Sequence, residues 1–524
     1  MSTHPNPADG DRHLPQNSLA PENLLQTNGT VSIPDSETKG KLNSLAAMTA
    51  EHLRRQSYSP KMFLGLYRLF EFASILLISL IIVFVNTNPS DHTLILASLI
   101  TCPAVLTVLF LQLADCYTVS VIRSGRRSLV HVLCAWILSF MPGPFALPAT
   151  LNEQSMTLTT ILVWFAVGAL FLVTERLIVA HAVRRWARNG IMERRAVIVG
   201  GGESVRDLIR NMERLPDNDI RICGIFDDRD DSRSAALTAG YPKLGTISEL
   251  VEFARVAQID MLIISLPLSA EDRILALLKT LWVLPVDIRI AAHSRNLNFR
   301  TRHFSSAASA TSGMIEVYNK PIADWDSVAK RVFDLFFASL SLLLLWPIMV
   351  ATALAIKLDS KGPVFFVQKR HGFNNEVIPV FKFRSMFTEK SDPLALSVVT
   401  KGDPRVTRVG RFIRKTSIDE LPQLFNVLIG NLSLVGPRPH AVRAHAANRL
   451  FADIAEGYFA RHRVKPGVTG WAQINGWRGE IDSDQKIRAR TACDLYYIEN
   501  WSLFFDFKIL VMTPFSLLNT ENAY

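Results

Sequence analysis

Cysteine is scarce and scattered in this chain. Its 524 residues hold five, Cys102, Cys116, Cys134, Cys223 and Cys493, the first three in or beside apolar runs, and no CxxC pair occurs. Such spacing suggests neither a metal site nor a disulfide framework. Zinc-finger spacing is missing, as is any basic helix with base-reading residues. A formal charge of +10 therefore points away from nucleic acid and toward an anionic membrane surface or acidic substrates. The N-terminus shows no signal-peptide pattern. The one close match to a nucleotide-binding Asp-x-Asp, Asp482-Ser-Asp484, follows no strand, which argues against a processive glycosyltransferase.

What is abundant is apolar sequence, at 49% of residues with a mean hydropathy of +0.19. Residues 1–58 are rich in Pro, Asn, Ser, Asp and Thr and read as a disordered cytoplasmic tail. Four apolar runs follow within 59–180, near 62–86, 93–115, 128–147 and 157–176, each about as long as a hydrocarbon core is thick. Arg54, Arg55 and Lys61 precede the first; Arg123, Arg126 and Arg127 separate the second and third; Arg184, Arg185 and Arg188 follow the fourth. The intervening loops 87–92 and 148–156 lack Lys and Arg, so both ends of the bundle are expected in the cytoplasm. Arg68 and Glu71, inside the first run, are expected to snorkel or to pair with each other.

Ala196-Val-Ile-Val-Gly-Gly-Gly-Glu-Ser-Val205 is a buried-strand pattern running into a glycine turn and a helix, as in the first unit of a Rossmann-like α/β domain over 190–300. Val205 stands where the dinucleotide fingerprint has its third glycine. Asp227, after a second strand pattern, falls where a ribose-binding acid would. Nucleotide binding and a purely regulatory or assembly role both remain open. A linker over 301–326 leads to a further apolar run, about 332–356, flanked by Lys330 and Arg331 at one end and Lys357, Lys361, Lys369 and Arg370 at the other. Crossing the membrane would place one basic cluster outside. With Pro347 removing a helix hydrogen bond, the economical reading is a re-entrant helix that bends near Trp346-Pro347 and returns.

Further on, Asp419 and Glu420 stand side by side, preceded by Arg408, Arg411, Arg414 and Lys415 and followed by Pro437-Arg438-Pro439. A carboxylate can attack phosphorus or hold Mg²⁺ while cations neutralise phosphate oxygens. Taken bare, the same pair reads equally as exposed ion pairs. Its surroundings shift the weight. Ser360-Lys-Gly-Pro-Val-Phe-Phe-Val-Gln-Lys-Arg-His-Gly372, Phe381-Lys-Phe-Arg-Ser-Met386, Thr416-Ser-Ile-Asp-Glu-Leu-Pro-Gln423, Leu434-Val-Gly-Pro-Arg-Pro439 and Val464-Lys-Pro-Gly-Val-Thr-Gly-Trp-Ala-Gln473 occur in that order. Together they resemble the bacterial sugar transferases, the polyprenyl-phosphate hexose-1-phosphate transferases, and the upstream layout resembles that family's large multi-helix branch.

The resemblance implies an α-helical membrane protein: a four-helix transmembrane bundle, a cytoplasmic Rossmann-like α/β domain, and over 327–524 a monotopic phosphoglycosyl transferase catalytic domain of α+β type with the re-entrant helix. It implies that Asp419 attacks the β-phosphorus of a UDP-sugar, releasing UMP, and that undecaprenyl phosphate then takes the sugar-phosphate, with Mg²⁺ as cofactor. Glu420 would share the metal with Asp419 or orient it. Arg414, Lys382, Arg384 and Arg438 would bind phosphate, the second and third from one strand face. Gln473, Asn475 and Arg478 would meet nucleotide or sugar. Inner-membrane lipid is the surrounding partner, with the catalytic domain facing the cytoplasm, and homo-oligomerisation is open. Glucose is the first choice of sugar and galactose the second. A non-catalytic sensor or scaffold for polysaccharide assembly is the rival reading.

Overall fold

A computed structural model describes residues 42–53, 59–86, 93–140, 158–188, 193–214, 220–229, 237–266, 270–291, 314–388, 403–440, 445–446, 449–450, 454–455, 457–477, 479 and 483–518. The N-terminal segment expected to be unstructured as far as residue 58 holds a helix, α1 (Ser44–His52). Asn43 caps it, its side chain accepting from the Leu45 N–H at 3.0 Å. Ala46, Ala50 and Leu53 are buried against the α/β core, and Arg195 donates to the Leu53 carbonyl at 2.6 Å. Its apolar face is only three small or medium side chains, too little for a periodic signal to show.

The four apolar runs become α2 (Pro60–Asn86), α3 (Thr93–Leu113), α4 (Arg126–Phe140) and α5 (Leu158–Arg188). Helices α2 and α4 each pack against both α3 and α5. Among the described residues, α2, α5 and a third helix introduced below are long and apolar enough to cross a membrane; the apolar parts of α3 and α4 are shorter. Trp136 fills the centre, donating to the Phe165 carbonyl at 3.0 Å, and sits so close to Gly168 that a methyl there would approach to 2.2 Å. Glu71 does not pair with Arg68. It accepts from Arg176 at 3.2 Å and Tyr117 at 2.7 Å, and Arg68 instead lies over the Tyr117 ring. Partners distant in sequence, one on α5 and one in the bend after α3, satisfy the buried carboxylate.

The α/β domain is a sheet of order β3-β4-β2-β1-β5-β6-β7, made by β1 (Arg194–Val199), β2 (Ile220–Phe226), β3 (Leu237–Thr238), β4 (Tyr241–Gly245), β5 (Met261–Ile264), β6 (Asp287–Ala291) and β7 (Met314–Tyr318). The interior pairings are parallel, and β1 and β5 are buried on both faces, which is why they read as unbroken apolar runs. Strand β7 pairs antiparallel with β6, so the expected linker supplies the edge of the sheet. The glycine turn after β1 puts Gly200 and Gly202 at positive φ. Val205, on α6 (Glu203–Glu213), is fully buried in the layer beneath.

Two further helices, α7 (Ile247–Val256) and α8 (Glu271–Leu281), complete that domain. Next comes α9 (Asp324–Asp359), apolar and long enough to span. The helix is continuous through Pro347, against the expected break, since a proline removes one hydrogen bond and leaves those on either side. One face (Asp334, Ala338, Met349, Thr352, Ile356) is buried, while Leu343, Leu344, Trp346 and Leu354 are exposed. Strands β8 (Phe365–His371) and β9 (Val377–Phe383) form a hairpin, followed by α10 (Arg408–Thr416), α11 (Gln423–Ile429), the parallel pair β10 (Ser433–Val435) and β11 (Gly467–Thr469), α12 (Asp484–Glu499) and α13 (Leu503–Leu518). On α13, Phe504, Phe507, Val511 and Phe515 form an exposed apolar stripe at helical spacing.

Both ends of α9 are tied to this last domain. Near its start, buried Lys330 reaches Asp506 at 2.7 Å, Asp334 at 3.1 Å and the Val435 carbonyl at 3.1 Å, and Tyr497 and Trp501 donate to the same Asp506. Arg331 caps α11 through the Val427 and Leu428 carbonyls. At the far end, Asp359 accepts from the Val409 N–H at 3.0 Å, and Met349 and Ile356 pack with Phe383 and Ile413. Removing one partner of a buried pair leaves the other charge uncompensated. Asp506→Ala should therefore cost about 3 kcal/mol, seen as a lower thermal unfolding midpoint of the detergent-purified protein. An unchanged midpoint would contradict the mooring role given to this cluster.

Candidate active site

The acidic pair sits at a forced change of direction. Thr407 caps α10, accepting from the Gly410 N–H at 2.9 Å, and Gly410 is required because a Cβ there would lie 2.0 Å from the Ser385 carbonyl oxygen. The helix ends at Ser417 in the left-handed region (φ 58°, ψ 17°), a conformation that costs a serine about 1 kcal/mol or more. A single 3₁₀ turn, Ile418–Glu420, follows, and Pro422 opens α11. Asn426, fully buried on α11, accepts from the Phe381 N–H at 2.9 Å and donates to the Pro379 carbonyl at 2.7 Å. Strand β9, carrying Lys382, is thereby stitched to the helix behind the carboxylates.

Glu420 and Asp419 meet very different surroundings. Glu420 is gripped bidentately by Arg438, through Oε2 at 3.0 Å and through Oε1, and Oε1 also accepts from Lys382 at 3.0 Å. Burial acts to raise its carboxyl, but the Arg438 and Lys382 cations win and hold it well below the usual carboxylate range. For Asp419 no hydrogen bond or ion pair is found among the described residues. Burial, with the Glu420 charge beside it, pushes its carboxyl up to about 6 against the pull of Lys382, Arg414 and Arg438. Two adjacent acids thus differ in surroundings: one is the counter-ion of the cationic wall, the other makes no such pair among the described residues.

Arg438 is aimed by its backbone. All four carbonyls from Pro437 to His440 are engaged: Pro437 by the Gly467 N–H at 2.9 Å, Arg438 by Arg461 at 2.8 Å, Pro439 by Arg370, and His440 by the His371 N–H at 3.1 Å. Three glycines permit this crowding. A Cβ on Gly470 would lie 2.2 Å from the Gly436 oxygen, one on Gly467 2.1 Å from the Gly436 nitrogen, and one on Gly436 2.5 Å from the Lys465 oxygen. The Gly-Pro-Arg-Pro and Lys-Pro-Gly-Val-Thr-Gly segments are therefore two halves of one backbone contact.

Of the expected residues, the structure brings Asp419, Glu420, Lys382 and Arg438 together, with Arg414 close enough for its charge to act on Asp419. Arg384 is elsewhere. Strand β9 ends at Phe383, so the alternation that would turn Arg384 toward Lys382 stops. Its guanidinium binds the Ser360 and Lys361 carbonyls (2.8 and 2.7 Å), Ser360 Oγ and Thr388 at the end of α9. Gln473 is buried, its amide on the Val468 carbonyl at 3.3 Å and its Oε1 without a partner among the described residues. Arg478 lies outside the described residues. Spacing gave no sign of Arg370, Arg461 or Asn426, each acting through backbone groups distant in sequence. The His440–Arg463 stretch, whose mixed Arg, His and aromatic content suits lipid headgroups, instead buries Arg461, His462 and Arg463.

Comparison with known proteins follows the same division. Residues 325–520 match the model of the family described as bacterial sugar transferase, and residues 112–292 match that of a CoA-binding domain. The chain is 38% identical over 402 residues to an undecaprenyl-phosphate glucose phosphotransferase of Komagataeibacter xylinus, spanning 75% of this chain and 70% of that protein. It is 36% identical over 395 residues to the UDP-glucose:undecaprenyl-phosphate glucose-1-phosphate transferase of Escherichia coli K12, spanning 74% and 81%. A Rhizobium leguminosarum exopolysaccharide production protein is 48% identical over 199 residues, which is 38% of this chain and all of that one. The packed glycines give a local test. Gly470→Ala forces backbone apart and should cost about 2 kcal/mol, read as a lower unfolding midpoint; a protein as stable as wild type would contradict the contact.

Proposed function

The chain belongs to the bacterial sugar transferases, and from that premise we propose that Asp419 is the nucleophile by which it transfers glucose-1-phosphate from UDP-glucose to undecaprenyl phosphate. The observation that carries this is the asymmetry of the acidic pair: Glu420 is occupied by Arg438 and Lys382, and Asp419 is open beside the same cations. An Asp419 oxygen attacks the β-phosphorus, the bond from that phosphorus to the bridging oxygen breaks, and UMP leaves with the oxygen. A phosphate oxygen of undecaprenyl phosphate then attacks the same phosphorus, releasing the Asp419 carboxylate and giving an undecaprenyl-diphospho-glucose. Two bulky phosphorylated substrates are thus handled one at a time. This step begins a repeat unit of an exopolysaccharide or capsule.

The residues fit a divalent cation such as Mg²⁺, which commonly takes one or two carboxylates with substrate phosphates and water completing the shell. Asp419 would hold it, because both Glu420 oxygens already accept from cations. When bound it supplies neutralisation of pyrophosphate charge. Lys382 and Arg438 keep Glu420 ionised and present positive charge to the phosphates, with Arg414 adding its own from the last turn of α10.

The catalytic domain works at the cytoplasmic face of the inner membrane. With both ends moored to one domain, α9 stays helical through Pro347 but bends there, entering the cytoplasmic leaflet and returning, and the exposed stripe of α13 lies in the interface beside it. The helices α2–α5 form a four-span bundle with cytoplasmic ends, as their basic flanks require. Glucose is assigned from the relatives that match over most of the chain.

Purified full-length protein with UDP-glucose and undecaprenyl phosphate should release UMP, and Asp419→Asn should lower this by about 10³-fold or more. Equal turnover would remove Asp419 as nucleophile. No turnover with UDP-glucose or UDP-galactose, in protein that still binds nucleotide, would favour a sensor or scaffold. The pH profile offers an independent check. Attack needs the carboxylate, so kcat/KM should fall as pH drops through about 6. Glu420→Gln removes a negative neighbour and should move that acid limb downward; an upward move would contradict the electrostatic account.

A further inference from the structure

The turn that carries Arg438 is held from behind by side chains that lie outside the cluster of carboxylates and cations. That turn leans on Tyr458–Arg463, a 3₁₀ segment whose Arg461 is 1% exposed. Arg461 divides its donors between the Asp494 carboxylate at 2.6 Å, the Arg438 carbonyl at 2.8 Å and the His440 ring, and its guanidinium lies 5.3 Å from the Tyr458 ring centre. His440, the last residue of the turn, in turn contacts the Tyr458 hydroxyl at 2.7 Å.

The other side of this segment faces the α/β domain. Gly457, at φ +75°, packs so closely on Trp282, just past α8, that a Cβ would come within 2.4 Å of the indole. Arg463 donates to the Asn319 carbonyl at 2.9 Å and lies 5.9 Å from the Tyr318 ring centre at the end of β7. Alongside, Asn374 donates to the Arg255 carbonyl at 3.3 Å, and the His371 and His462 rings are 5.7 Å apart. The same six-residue segment therefore carries an inter-domain contact on one side and the carbonyl of Arg438 on the other.

We propose that the α/β domain positions Arg438 for the transfer reaction through the Tyr458–Arg463 segment, with Arg461 as the positioning residue. The domain's contribution is to set the geometry of the substrate-facing arginine rather than to touch substrate. A guanidinium displaced by a fraction of an ångström loses its aim at a phosphate while the fold survives, which is how a contact remote from the chemistry acts on rate or affinity. This rests on the reading of the site as a glucose-1-phosphate transferase.

The test uses full-length protein in detergent with undecaprenyl phosphate, measuring KM for UDP-glucose and kcat separately, together with the unfolding midpoint. Trp282→Ala opens the inter-domain contact, Trp282→Phe keeps an aromatic ring there, and Arg461→Lys retains the charge beside Asp494 but cannot reach two acceptors with a planar fork. Trp282→Ala and Arg461→Lys should each raise KM about tenfold, with kcat altered less than KM and Trp282→Phe close to wild type. Should Arg461→Lys fail to fold, the Trp282 pair decides alone. Wild-type KM in Trp282→Ala would overturn the proposal, as would a kcat that falls only in step with the fraction of folded enzyme. A wild-type protein without UMP release would instead overturn the transferase reading itself.

Discussion

Everything at the centre of this protein depends on Glu420 being the counter-ion for two cations. A bidentate arginine and a lysine brought to one carboxylate form a charge-assisted cluster that would be costly to bury without all three members. Its consequence falls on the neighbour. Asp419 is paired to neither cation among the described residues, and burial beside a second carboxylate outweighs their pull and raises it to about 6, so it is the acid of the two whose proton is gained or lost in the mildly acidic range. Pairing one carboxylate leaves the adjacent one without a counter-ion among the described residues. Conformational strain supports the arrangement, since the left-handed Ser417 turns the chain directly before the pair.

The membrane helix and the site are parts of one construction. Lys330, inside the start of α9, is held by Asp334, by Asp506 and by the carbonyl of Val435, three residues before Arg438. At the other end, Asp359 and the carbonyls of Ser360 and Lys361 reach α10 and Arg384, on either side of the chain that leads to Asp419. Both ends of the helix are thereby tied to the site by buried ion pairs and caps rather than by a flexible tether. An acceptor whose phosphate lies at the lipid surface needs such a fixed attachment.

Much of this was legible in the sequence, for reasons that differ by residue. Asp419, Glu420, Lys382 and Arg438 could be named because they stand inside the motifs that resemble the sugar transferases; read bare, the acidic pair is as well explained by exposed ion pairs. The strands of the α/β sheet and the long spans could be named because burial on two faces, or in lipid, writes unbroken apolar runs. Arg384 misled because strand alternation holds only while the strand lasts, and β9 ends one residue earlier. Lys330 and Arg331 read as membrane-flanking charges, yet one is buried in an ion-pair cluster and the other caps a helix. Arg461 left no trace, since its partners are a backbone carbonyl and an aspartate 33 residues away. Helix α1 was missed because two alanines and a leucine make its whole buried face.

The most direct measurement is mass spectrometry of the protein mixed with UDP-glucose in the absence of lipid acceptor, followed by peptide mapping. The account predicts one added hexose phosphate on the peptide carrying Asp419, discharged when undecaprenyl phosphate is supplied. An enzyme that turns over with acceptor present but never carries the adduct, or carries it on another residue, would contradict the central role given to Asp419.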